Sequence, residues 1–172
     1  PHITGKEVHH IYGAVATGQI SGNGKYTKLC QQYFEERWSF KKTLLTTSCT
    51  DALEMAALLL DIQPGDEVIF PSFTFVSTVN AFVLRGAVPV FADIHPDTLN
   101  VDESQVERRV TAKTRAVVPV HYAGGGCEMY TIRAFAEKHA LAVVEDNAHG
   151  LTGAYKGKPL GSFGCLATQS FH

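Results

Sequence analysis

Residues 141–150 read LAVVEDNAHG, an apolar run that passes without a break into two carboxylates and then an imidazole. Leu141 to Val144 lack the apolar–polar alternation of a half-solvated strand. A short continuous apolar run bounded by polar residues is how a strand reads when helices cover both of its faces, as in a parallel sheet. Outward from this run the same pattern recurs, and it predicts strands over 43–47, 67–70, 88–92, 116–120, 141–145 and 165–171.

The intervening segments carry helical spacing. Leu53, Ala56, Ala57 and Leu60 form one stripe, and Phe75, Val79, Phe82 and Val83 another. Ser48 or Thr50 is a candidate cap for the first of these helices, and Gln63-Pro64-Gly65-Asp66 reads as a turn. Asp102 is placed to cap a helix over 103–110, with Glu103 favourable in its first turn. Segment 129–139 keeps apolar residues at Ile132, Phe135 and Ala136. Strand, helix, strand, repeated in this way, predicts a three-layer α/β/α fold around a mostly parallel, doubly wound sheet. Residues 1–24, Gly-rich after an initial helical pattern, read as an N-terminal arm on a domain formed by 25–172.

At 172 residues, 45% hydrophobic, 19% charged and with net charge −2, the composition is that of one soluble globular domain. No basic run exceeds the pairs Lys41-Lys42 and Arg108-Arg109, which argues against nucleic acid or an anionic membrane as partner. Apolar runs such as AALLLDI are too short to span a bilayer. Cys30, Cys49, Cys127 and Cys165 are dispersed and form no C-x-x-C pair, so reduced thiols and a cytoplasmic location are expected. Paired Cys/His spacing and H-E-x-x-H are absent, and no metal site is expected. The chain opens at Pro1 and stops inside the strand-like run CLATQSFH, so it is expected to be a fragment of a longer protein.

Ligands of parallel α/β sheets bind outside the carboxyl ends of the strands. There, TTSCTDAL offers the N–H groups of Cys49 and Thr50 at a helix N-terminus, suited to a phosphate; a plain N-cap is the alternative, and Asp51 counts against an anion. YAGGGCEM misses G-x-G-x-x-G because Met129 stands at the third glycine position, and GAYKGKP lacks the Walker A spacing. Phe73 and Phe75 in PSFTFVST are core aromatics or rings that stack on a planar ligand. EDNAH is the most informative site, since ionised carboxylates are almost never buried without a partner. Asp146 either caps local amides or faces a cationic ligand such as a pyridinium nitrogen, with His149 beside the ring. Glu145 reads only as a strand-end carboxylate.

Taken in order, SGNGKYT, SCTDALEMAALLL, QPGDEVIFPSFTFVSTVNAFVLRGAVPVFADI, KTRAVVPVHYAGG, VVEDNAHG and QSFH resemble the nucleotide-sugar aminotransferases of the DegT/StrS type. These are pyridoxal 5'-phosphate (PLP) enzymes of fold type I. The likeness runs along the whole chain and implies the N-terminal part of the large, PLP-binding domain. It implies that Asp146 pairs with the pyridine nitrogen, that His149 stands near the phenolic oxygen, and that Ala148 and Phe75 cover the two ring faces. Cys49 and Thr50 would donate to the phosphate, and Ser170 would add a hydroxyl.

The family's Schiff-base lysine follows S-F-H by three residues, which puts it at the third residue past His172. The 172 residues alone are therefore not expected to transaminate. The family's small domain and part of its dimer interface would also lie outside them, leaving apolar surface prone to self-association. The complete enzyme implied is a homodimer that moves an amino group from an amino-acid donor, expected to be glutamate, to the 4-keto group of a dTDP-linked 6-deoxyhexose. Two other readings stand beside it. One is a dehydratase of the same family, with His in place of the lysine; the other is a non-catalytic α/β module that binds a phosphate ligand or a partner.

Overall fold

The computed structural model describes residues 3–171, which divide into two compact units between Leu45 and Thr46. The first unit extends past the arm expected over residues 1–24. That unit contains α1 (Glu7–Ala16) and α2 (Lys25–Trp38). In α2, Phe34 is buried, and Trp38 stacks on it with ring centroids 5.0 Å apart.

The second unit runs α3 (Cys49–Leu59), β1 (Glu67–Pro71), α4 (Val76–Val83), β2 (Val88–Ala92), α5 (Glu103–Arg108), β3 (Thr114–Val117), α6 (Met129–Lys138), β4 (Ala142–Asn147), the short hairpin β5 (Ala154–Tyr155) and β6 (Lys158–Pro159), and β7 (Leu166–Gln169). Five strands form one sheet in the order β2-β1-β3-β4-β7, and every pairing in it is parallel.

Successive residues of the central strands enter different cores, as the two-residue period of a strand requires. Val68, Phe70, Ala116, Val118 and Val144 pack against Leu53, Ala56 and Ala57 of α3 and Ala81 and Phe82 of α4. Ile69, Val117 and Val143 pack against Val106 of α5 and Met129, Ile132, Phe135 and Ala136 of α6. Covering both faces explains why these strands read as unbroken apolar runs. The architecture is the three-layer, parallel α/β/α fold that the sequence predicts.

Two expectations are corrected. Residues 43–47 form no strand. The hydroxyl of Thr46 donates to the Ser48 carbonyl at 2.6 Å and that of Thr47 to the Asp51 carboxylate, so side chains turn the backbone into the cap of α3 before a ladder can start. The α4 stripe is also displaced. Phe75 is the extended N-cap of that helix, and Thr78, Ala81 and Phe82 face the core while Phe75 and Val83 are exposed.

Candidate functional site

The carboxyl ends of β1, β3 and β4, neighbours in the sheet, open into a cleft of about 280 Å³. Phe73, Thr74 and Phe75 after β1, Val120 and Tyr122 after β3, and Asp146, Ala148 and His149 of the β4 end line it, with Thr78 of α4. Of the residues singled out in the sequence, Phe75, Asp146, Ala148 and His149 therefore meet in one place.

Asp146 is only 4% exposed. Its backbone is pinned between the Pro119 carbonyl (2.9 Å) and the His121 N–H (3.1 Å). Its carboxylate accepts from the Thr78 hydroxyl at 2.7 Å and from the Ala148 N–H at 3.2 Å. No Lys, Arg or His forms an ion pair with it among the described residues. Of the two sequence alternatives the first is seen: Asp146 caps a local amide.

His149 accepts the Ala123 N–H on Nδ1 at 3.1 Å, which makes Nε2 the ring's donor. Its edge meets Tyr122 with centroids 5.6 Å apart, and Tyr122 in turn meets Phe73 at 5.1 Å. Ala123 has φ 50° and Gly124 φ 81°. A Cβ on Gly124 would come within 3.2 Å of the His149 carbonyl, so the tight turn explains this glycine. One on Gly126 would come within 2.8 Å of Tyr155. The Gly cluster is there for close packing.

Cys49 and Thr50 open α3 and do not line the cleft. Ser48 caps the helix by accepting the Asp51 N–H at 3.1 Å, and Asp51 is engaged by Thr47, as noted above. Among the described residues, the N–H groups of Cys49 and Thr50 donate to no protein acceptor. The Thr50 hydroxyl bonds to that of Ser77 at 2.9 Å, one residue before Thr78. Burial pushes the Cys49 thiol above its ordinary value; the Thr168 hydroxyl works against this and the Asp146 carboxylate adds to it. The bonds of Thr50 to Ser77 and of Thr78 to Asp146 tie the start of α3 to the Asp146 end of the cleft through α4. Ser170 is half-buried, just past β7.

Three features are not legible in the sequence pattern. Thr78 lies in the first turn of α4, in a stretch whose periodicity is carried by Phe75, Val79, Phe82 and Val83. Tyr122 follows a strand end read as a Gly-rich loop. Glu145 is not a loose strand-end carboxylate but is fully buried against His121. The sequence also gave no sign that His95, Asp102 and Glu103 come together. There Asp102 caps α5 and Glu103 pairs with His95 at 3.0 Å.

All 172 residues match the model of the DegT/DnrJ/EryC1/StrS aminotransferase family. The chain belongs to this family. The spore coat polysaccharide biosynthesis protein SpsC of Bacillus subtilis is 41% identical over 100% of this chain and 44% of its own length. The GDP-perosamine synthase of Vibrio cholerae is 37% identical over 99% of this chain and 47% of its own. The chain spans about half the length of the curated relatives it matches. Among solved structures, the aminotransferase from Psychrobacter cryohalolentis superposes with a TM-score of 0.94 at 34% identity, over 99% of this chain and 44% of that one. The Streptococcus pneumoniae protein Spr1654, named for a sugar aminotransferase, matches in its PLP form with a TM-score of 0.91 at 31% identity, over 100% and 47%.

The DegT/StrS family depends on PLP, and the residues present fit that group. A buried carboxylate without a counterion suits a cationic ring nitrogen. Two free N–H groups at a helix N-terminus suit a phosphate. An exposed phenylalanine and a small alanine at the cleft leave room for a flat ring.

Proposed function

We propose that this chain is the N-terminal, cofactor-binding half of a PLP-dependent sugar aminotransferase. The complete enzyme transfers an amino group from an amino-acid donor, taken to be glutamate, to the 4-keto group of a dTDP-linked 6-deoxyhexose. It works as a homodimer in the cytoplasm. One observation carries the reading: the Asp146 carboxylate, 4% exposed, lies in an aromatic-lined cleft with hydroxyl and amide donors and, among the described residues, no cationic partner.

When bound, PLP supplies an electron sink for the carbon that loses its proton. In this reading Asp146 holds positive charge on the pyridine nitrogen. Thr78 and the Ala148 amide keep the carboxylate in its rotamer, and His149 donates from Nε2 to the phenolic oxygen. Phe75 and Ala148 cover the ring faces and exclude water. Cys49 and Thr50 donate backbone N–H groups to the phosphate, with the Thr50 and Ser170 hydroxyls beside them. The amine that takes and returns the proton is assigned to the third residue past His172, so a polypeptide limited to residues 1–172 is expected to bind the cofactor without turnover. The cleft, at about 280 Å³, lies just below the range of ligand pockets (~300–1,000 Å³) and suits one ring system. The sugar and nucleotide contacts are assigned to the rest of the protein and its partner subunit.

The test uses the full-length protein. It should bind PLP, consume glutamate and aminate a dTDP-4-keto-6-deoxyhexose. Release of water without amine transfer would favour the dehydratase reading. Failure of PLP to change either the absorbance or the melting temperature would overturn the cofactor assignment.

A further inference from the structure

Glu145 and His121 are both completely buried, yet neither lines the cleft. Glu145 lies two residues beyond Val143, on the α5/α6 face of β4, whereas Asp146 reaches Thr78 on the α4 side. A buried carboxylate is stable only when its lone pairs are met. Here four donors meet it: His121 Nε2–H at 2.9 Å, and the N–H groups of Gly161 at 2.9 Å, Phe163 at 2.6 Å and Gly164 at 2.6 Å. The Cys127 N–H donates to His121 Nδ1 at 3.2 Å, so Nε2 carries the proton that faces Glu145.

The same two residues flank the cleft through the backbone. Glu145 precedes Asp146, and the His121 N–H holds the Asp146 carbonyl at 3.1 Å. Tyr122, next after His121, is held by Asn100 Oδ1 at 2.9 Å and presents its ring to Phe73 and His149. Two separate segments, the 119–127 turn and the 161–164 loop, thus converge on one carboxylate of β4.

We propose that His121 and Glu145 are a positioning pair that locks the turn after β3 and the 161–164 loop onto β4, and thereby fixes Asp146, Tyr122 and His149 around the cleft. The lock stands on geometry alone; only its consequence for cofactor binding rests on the function proposed above.

The experiment compares full-length wild type with Glu145→Gln, His121→Phe and Ile62→Ala. The last is a control that destabilises the opposite, α3/α4 core at a buried residue that lines neither the cleft nor the lock. Amide exchange on the cofactor-free proteins is followed in peptides covering 119–127, 146–150 and 158–166, and PLP affinity is measured beside it. Glu145→Gln and His121→Phe should speed exchange in all three peptides by about tenfold or more. They should also weaken PLP, whereas Ile62→Ala should leave 119–127, 146–150 and PLP affinity unchanged. Should Glu145→Gln not fold, His121→Phe still decides, because it leaves Glu145 its three backbone donors. Loosening confined to 158–166, or a control that reproduces the same pattern, would overturn the proposal. A wild-type protein that does not bind PLP would tell against the proposed function, while the exchange pattern still judges the lock.

Discussion

Replacing Asp146 with Asn separates the charge of the cleft from its shape. The carboxylate is 4% exposed and accepts two hydrogen bonds, at 2.7 Å from Thr78 and 3.2 Å from the Ala148 N–H. Burying an ion costs several kcal/mol, and two bonds to it return about 1.5–3 kcal/mol each, so without a cationic ligand the balance is near zero. Asparagine keeps the volume and one accepting oxygen and removes the charge. Cofactor-free Asp146→Asn should therefore melt within about 1 kcal/mol of cofactor-free wild type, or above it. With PLP the order reverses. The variant loses one charge-assisted bond of about 1.5–3 kcal/mol, a fall in affinity of roughly tenfold to a hundredfold. The assay is a pair of thermal melts on the stripped proteins and a PLP titration followed by absorbance. A variant that binds PLP as tightly as wild type, but melts several degrees lower when stripped, would refute the argument. It would make Asp146 a structural cap for Thr78 and Ala148.

Four further outcomes are expected. In the full-length enzyme Asp146→Ala should reduce kcat far more than His149→Ala, because one removes charge and the other a single hydrogen-bond donor; equal losses in steady-state rates would reverse the assignment. Glu145 gives a pH dependence. Burial alone would raise its carboxyl, but the His121 hydrogen bond and the Gly164 and Gly161 amides outweigh burial and hold it below its ordinary 4.5. Its contribution is therefore complete above that value and drains away as pH falls through the lower folded one, so Glu145→Gln should flatten the loss of urea stability from about pH 6 to about pH 3. Burial pushes the Cys127 thiol up to about 12, whereas Cys30 and Cys165 are exposed. Peptide mapping after native alkylation near pH 8 should find those two labelled and Cys127 labelled only after unfolding. Phe82 is fully buried, edge-on to Phe70 at 5.5 Å, and Phe82→Ala should lower the denaturant midpoint by about 3–5 kcal/mol equivalent.

The sequence alone determined the elements whose causes are local. Unbroken apolar runs such as Val143-Val144 announce strands covered on both faces, and Ser48 and Asp102 cap the helices they precede. The rule that ligands sit at carboxyl ends of strands then directed attention to Asp146 and His149, both of which line the cleft. Where local side-chain bonds competed with the pattern, as Thr46 and Thr47 do before α3, the pattern failed.

Only the tertiary structure decided which segments meet. Pairing β1 with β3 and β3 with β4 brings Phe75, Tyr122 and Asp146 to one cleft, and α4 delivers Thr78 to the same carboxylate. Glu145 and Asp146 look alike in sequence. They differ because adjacent residues of a strand face opposite sides of the sheet. One side offers three backbone amides and an imidazole N–H; the other offers a hydroxyl, an amide and space for a cation. That difference arises from donors far away along the chain, which periodicity and spacing do not encode.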